Sequence, residues 1–265
     1  MMQEFYHITW TDVFVSLVLV GLTLALIRWW KIGLEKTLII GTVRSFVQLT
    51  FMGYVLTFFF EQRHWSFMIG LIVVMTLIAG FEGARRQKKT PIPNYFLILT
   101  GSLFTTLVIV LGVILAFILD VKPWYYPYAI IPIGGMIIGN AMNSATLATN
   151  RFMSELQHRR REIEMMLSLG SPVRAAVQDS IRESVQAALI PTINSMMTVG
   201  IVFLPGIMSG QILSGVDPMI AVRYQIMIMY MWVTTTALAD ILVLALVYRQ
   251  LFTSKAQLKQ VNVRR

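Results

Sequence analysis

Seven long apolar runs leave this chain few ways to fold. They cover residues 8–27, 38–60, 65–81, 95–119, 126–147, 192–213 and 224–248. A helix crosses the hydrocarbon core of a bilayer with about 20 apolar residues, and every run is near that length. With no water inside the bilayer, backbone N–H and C=O groups must pair within the segment, so such runs are helices and not open strands. The expected fold is all-α: a polytopic membrane protein of about seven transmembrane helices, one transmembrane domain over residues 1–265. The sixth run is the exception in quality. Pro205 and Gly206 interrupt it, which predicts a kinked helix or a short helix followed by a re-entrant piece.

Formal net charge is +9, a value that in a soluble protein would suggest nucleic acid. Here the basic residues have another role. Eighteen of the 22 lie in alternate connections: Arg28, Lys31 and Lys36; the cluster from Arg85 to Lys89; the group from Arg151 to Arg182; and Arg249 onward. By the positive-inside rule those connections are cytoplasmic. The N-terminus is therefore expected outside and the C-terminus in the cytoplasm, with no nucleic-acid partner. The first 27 residues contain no Lys or Arg, so the first run reads as a retained anchor in the cytoplasmic membrane and not as a cleaved signal. The chain has no cysteine, which excludes disulfides, thiolate metal sites and cysteine nucleophiles.

The longest connection, at about 150–190, carries a cytoplasmic helix-turn-helix pattern. Ile163, Met166, Leu167 and Gly170 fall on one helical face, with Glu164 and Ser168 on another. Gly170 is placed to stop that helix, Ser171 to cap the next and Pro172 to open it. The second helix is expected to show an apolar row of Val173, Val177, Ile181, Val185 and Leu189. Arg174, Gln178, Arg182 and Gln186 form a parallel polar row.

The stretch "EMMLSLG", Glu164 to Gly170, is similar to the cytoplasmic coupling motif of ABC-transporter permease subunits, with Met165 and Met166 where alanines are usual. The downstream proline element is present only as "LIP", Leu189 to Pro191. Further stretches widen the likeness: "VRSFVQL" (43–49), "IPIGGMIIGNAMNSATLATNRF" (131–152), "LSLGSPVRAA" (167–176) and "AALIPTINSMMTVGIVFLPGIMSGQILSGVDP" (187–218). Together they resemble the FetB-type ABC permease family, which is associated with bacterial iron export and, through plant members, with aluminium tolerance and nucleotide-sugar transport. The resemblance implies a permease subunit, an exporter of iron or another metal, that works as a homodimer with a separate cytoplasmic ATPase. ATP and Mg would bind that ATPase, since no phosphate-binding loop occurs in this chain. Glu164, Gly170, Ser171, Pro172 and Arg174 are then the ATPase-coupling candidates.

Polar residues inside the runs are the candidates for a translocation path. They are Arg44 and Gln48 in the second run, Asn140 and Asn143 in the fifth, Asn194, Ser195, Pro205 and Gly206 in the sixth, and Asp240 in the seventh. Intramembrane charge costs on the order of 2.5 to 3.5 kcal/mol at a helix centre, so Arg44 and Asp240 demand partners, and each is a candidate for the other. An alternative reading follows from the same two residues: a gradient-driven secondary transporter, with a nucleotide-sugar or other small polar solute as alternative cargo. Gly135 and Gly139 form a pair suited to close helix packing. The 17 methionines read mainly as apolar packing, "MIMYM" and "SMM" being the clusters that invite a thioether test. The three histidines have no metal-ligand spacing, no catalytic constellation is present, and the chain is read as neither an enzyme nor the holder of a recognisable metal site.

Overall fold

The computed structural model describes residues 9–61, 64–87, 92–119, 121–253 and 257–259. The described residues are helical throughout their regular structure, and two compact units divide the chain, 1–63 and 64–265. Of the basic group from Arg249 onward, Arg249 and Lys259 lie among the described residues and Lys255, Arg264 and Arg265 lie outside them.

In the first unit, α1 (Trp10–Val15) starts on a capping box in which Thr9 and Asp12 satisfy each other's backbone N–H groups. It passes at Ser16 into α2 (Leu17–Trp29), and a turn with Lys31 and Gly33 at positive φ leads to α3 (Glu35–Glu61). Phe46 of α3 meets Trp10 and Phe14 of α1 at ring-centroid distances of 6.0 and 6.2 Å. The two spans of this unit bury none of their apolar windows within the chain.

The second unit is built around one long helix. It comprises α4 (Trp65–Arg86), α5 (Tyr95–Val113, continued by a π-helical turn Ile114–Ile118), α6 (Pro127–His158), α7 (Arg160–Ser168), α8 (Val173–Ala176), α9 (Gln178–Thr198), α10 (Gly206–Leu213) and α11 (Pro218–Leu251). Helix α6 packs against α4, α5, α9 and α11 and is buried on most sides; Ile133, Ala141, Ala145, Ala148 and Phe152 are completely enclosed. Small residues on α4 allow close approaches to its neighbours. A Cβ on Gly80 would overlap the Thr100 side chain and one on Gly83 would overlap Leu99, while Gly83 also lies 3.2 Å, by the same measure, from Thr146 Oγ1. The expected Gly135–Gly139 pair does less: Gly135 faces Met75 at 3.2 Å, and nothing lies within 4 Å of Gly139.

Helix directions follow from paired ends. Tyr95 at the start of α5 bonds Thr149 late in α6, and the far end of α5 (Val110, Ile114, Ile118) shares a cavity of about 410 Å³ with Arg223, Met227 and Tyr230 early in α11. Helix α5 is therefore antiparallel to α6 and to α11, and those two are parallel. The chain must consequently return through the depth of the bundle between His158 and Pro218. Helix α9 begins that return beside the end of α6, where Arg159 reaches Asp179 at 3.3 Å. It ends next to the first half of α11, where Met196 and Gly200 share a cavity with Val222, Gln225 and Met229.

Among the described residues six helices are long and apolar enough to cross a membrane: Trp10–Trp29, Glu35–Glu61, Trp65–Arg86, Tyr95–Ile118, Pro127–His158 and Pro218–Leu251. The chain is an all-α, multi-pass membrane protein. The sixth sequence run is not among the six, and its predicted form needs correction. Residue 192 lies inside α9, which starts 14 residues earlier at Gln178 and carries Pro191 in its interior. The helix then breaks over 199–205, where Gly200 has φ +81 and its N–H bonds Phe203 O at 2.9 Å, before α10 starts after Pro205. The positive φ favours glycine at the break, and the fixed φ of proline suits Pro205 just before the new helix.

Candidate functional site

The helix-turn-helix pattern at 160–176 is built from local chemistry. Helix α7 ends with Gly170 at φ +86; Gly170 N–H bonds Leu167 O at 3.0 Å and Ser171 N–H bonds Met166 O at 3.0 Å. These are the two bonds of a Schellman stop, which returns orphan carbonyls to donors and favours glycine at the left-handed position. Ile163 is buried while Met166 and Leu167 are half-buried, so the predicted face packs inward, and Glu164, Met165, Ser168 and Leu169 are exposed. Glu164 accepts a hydrogen bond from Arg160 Nε at 2.8 Å.

The next helix departs from expectation. Pro172, not Ser171, is the N-cap of α8, with no side-chain cap bond, because the helix opens only at Val173. It runs four residues, pauses at Val177 (φ −104, ψ 0) and resumes as α9. Arg174 is exposed, as are Gln178, Arg182 and Gln186, so the polar row faces outward as read. The inward face of α9 consists of Ser180, Ser184, Ala188 and Thr192, and of the predicted apolar row only Val177 is fully buried. Small side chains win that face because α9 lies close against α6.

Arg159, at the joint between α6 and α7, was not singled out in the sequence. It donates to both oxygens of Glu162 at 2.8 Å and to Asp179 at 3.3 Å, tying the start of α7 to the start of α9. The hydrogen bonds from Arg159, more than its charge, hold the Glu162 carboxyl below the usual carboxylate range, and the same pairing raises the guanidinium above its ordinary value. The only signal was an Arg three residues before a Glu, a spacing too common on helices to stand out.

The interior polar candidates separate into four places. Arg44 and Gln48 lie one turn apart on α3 in the first unit, both exposed. On α6, Asn140 is half-buried and exposed Asn143 accepts from Arg86 Nη1 at 2.8 Å. On α9, Asn194 is exposed and Ser195 bonds back to Pro191 O at 3.0 Å, while Pro205 and Gly206 form the entry to α10. Asp240 is fully buried in α11, and Oδ2 accepts from Ser144 Oγ on α6 at 2.8 Å; Oδ1 has no partner among the described residues. Nearby, Tyr95 Oη donates to Thr149 Oγ1 at 3.2 Å, which bonds its own helix at Ala145 O. Among the described residues no three His, Cys, Asp or Glu side chains gather where they could hold a metal ion.

Six crossing helices, a solvent-facing helix-turn-helix and a broken crossing agree with a sequence likeness that runs through all of them. The family described as "Uncharacterised protein family (UPF0014)" matches residues 10–252. The chain belongs to the UPF0014 family. The UPF0014 membrane protein slr1647 of Synechocystis is 38% identical over 95% of this chain and 97% of its own length. The "Probable iron export permease protein FetB" of Escherichia coli is 34% identical, covering 96% of each chain. The protein ALUMINUM SENSITIVE 3 of Arabidopsis thaliana is 31% identical over 92% of this chain and 88% of its own. No solved structure matches the chain. The family is one of multi-pass membrane proteins and includes a relative named as a permease, so the resemblance to FetB-type proteins holds over nearly the full length.

Proposed function

We infer that this protein is the membrane-spanning subunit of an ATP-driven exporter whose ATPase is a separate polypeptide. The observation that carries the reading is the outward-facing surface of 164–174, with Met165 59% and Leu169 79% exposed beside Glu164 and Arg174. Large apolar side chains flanked by charges, held on a Schellman turn, suit a groove on a soluble partner. The turn is tied to the crossing helices on both sides, through α6 and through α9. A push on it would therefore reach the broken crossing at 199–205. In this reading the N-terminus is outside, the C-terminus cytoplasmic, two copies form the permease, and iron or another metal is the cargo, as the name of the bacterial relative suggests.

The test is affinity purification of the tagged protein from native membranes in mild detergent, with mass spectrometry of what accompanies it. A stoichiometric ATPase with a phosphate-binding loop, lost in Leu169→Glu, is expected. A pure preparation with no ATPase and no change in the variant would overturn the reading.

One observation favours a second reading, a gradient-driven transporter. Asp240 is enclosed in the bundle with one carboxyl oxygen unpartnered, and ionisable groups at membrane depth commonly serve ion or proton movement. Flux in vesicles that depends on a proton gradient, needs no ATPase and disappears in Asp240→Asn would favour it.

A further inference from the structure

Helix α9 exposes one continuous stripe. Asp179, Glu183, Gln186, Ile190, Ile193 and Met197 are all exposed and recur at alternating spacings of four and three. That is the a/d repeat of a helix pair, and it lies opposite the face that α9 buries against α6. We propose that this stripe is the contact between two copies of the chain, with the two α9 helices parallel about a two-fold axis along the membrane normal.

Three features choose a second copy as the occupant. The first is charge. In a parallel pair the side chains at 183, 190 and 197 pack beside their own mates and the residue preceding each mate, so Glu183 of one copy meets Arg182 of the other and the two Arg182 guanidiniums offset the paired Glu183 carboxylates. Both are exposed, and Arg182 has no place on the buried face of α9. The contact is thus self-complementary, as a two-fold interface must be. The second is polarity that changes along the helix. The first half of the stripe is charged or amide-bearing and the second is Ile190, Ile193 and Met197, which matches a pair that starts in water and continues into the membrane. Asn194 is exposed beside that second half, where a neighbouring helix offers it hydrogen bonds that lipid lacks. The third is the break itself. Ile201 is 88% exposed, and the first turn of α10 starts without a side-chain cap. Non-helical backbone at membrane depth needs protein or a water-filled cavity over it, and a second copy on this face supplies that cover.

The inference deepens the two-copy part of the proposed function and places the broken crossings of both copies on either side of the axis. Its test reads geometry alone, so it stands or falls separately from the ATPase. Because the chain contains no cysteine, single replacements need no background removal. Gln186→Cys, Ile193→Cys and Met197→Cys are oxidised with copper phenanthroline in native membranes, beside Val108→Cys on an exposed part of α5 and Thr192→Cys on the buried face of α9. A covalent band at twice the 30.1 kDa chain mass for the three stripe positions, and for neither control, is expected. No dimer at any stripe position, or equal dimer at Val108, overturns the proposal. A second measurement uses photobleaching steps in nanodiscs. Arg182→Glu should shift the population to single copies and the exchange R182E/E183R should restore pairs; pairs unaffected by Arg182→Glu would overturn it.

Discussion

Ser144 and Asp240, on parallel helices α6 and α11, share a 2.8 Å hydrogen bond in a part of the bundle where both side chains are buried. It joins the two most extensively packed helices of the second unit at one polar point. A buried acceptor that loses its donor suffers the cost of its missing hydration, about 1–3 kcal/mol. Ser144→Ala should therefore lower thermal stability in detergent clearly. Asp240→Asn keeps an acceptor for the Ser144 hydroxyl and should lower it less, as followed by the temperature at which monodisperse protein is lost. A harmless Ser144→Ala would mean that the bond contributes nothing to the packing.

Glycines on α4 set how near that helix comes to α5. Gly80→Ala and Gly83→Ala would place a methyl into the side chains of Thr100 and Leu99. Overpacking of this kind costs typically 1–3 kcal/mol. The control is Gly139→Ala, with nothing within 4 Å of the new atom. Differential scanning fluorimetry should rank the first two well below wild type and the third level with it; equal behaviour of all three would refute the packing assignment.

The turn after α7 depends on backbone conformation and not on space. Gly170 has φ +86 and open surroundings, so Gly170→Ala suffers only the left-handed penalty, about 1–2 kcal/mol. Asn tolerates that region better. If the proposed ATPase subunit docks on this turn, its co-purification should fall in Gly170→Ala and recover in Gly170→Asn. Recovery in neither would point to a contact made by the glycine surface itself.

Acid should loosen the Arg159–Glu162 pair at the start of α7. The Glu162 carboxyl is held low by Arg159, so its contribution is complete above the ordinary glutamate value of about 4.3 and fades as pH falls through the lowered value. Arg159 stays charged throughout, its own value being raised. An environment-sensitive fluorophore on Leu169→Cys should report a constant signal at neutral and mildly acidic pH and a change only below the usual carboxylate range. In Glu162→Gln that acid-dependent change should be much smaller. A transition near neutrality would rule out this pair as its source.

The parts legible in advance were those governed by local rules. Hydrophobic run length located the six full crossings found among the described residues, and the Gly170 stop was readable because a Schellman turn is written in six consecutive residues, Met166 to Ser171. Boundaries were less accurate where a helix leaves the membrane without changing its backbone: α6 continues past residue 147 to His158, and α4 past residue 81 to Arg86. Hydropathy registers the edge of the apolar run, whereas the helix ends where its hydrogen bonds end. Ser171 illustrates a finer limit, since a serine before a proline matches a cap by composition but the chain enters the helix one residue later.

Sequence by itself determined that this is a helical membrane protein of the UPF0014 family, with a polar, turn-broken segment after the fifth crossing and a sixth run interrupted by Pro205 and Gly206. These conclusions rest on properties of neighbouring residues: apolar length, glycine and proline placement, and charge. Only the tertiary structure decided that Ser144 serves Asp240, that Gly80 and Gly83 approach a neighbouring helix more closely than Gly135 and Gly139 do, and that α9 runs unbroken through Pro191 to fail at 199–205. Each of these depends on which faces of helices distant in sequence meet, and no local pattern specifies that. A serine, a small residue or a proline reads the same in every helix until a neighbour is packed against it.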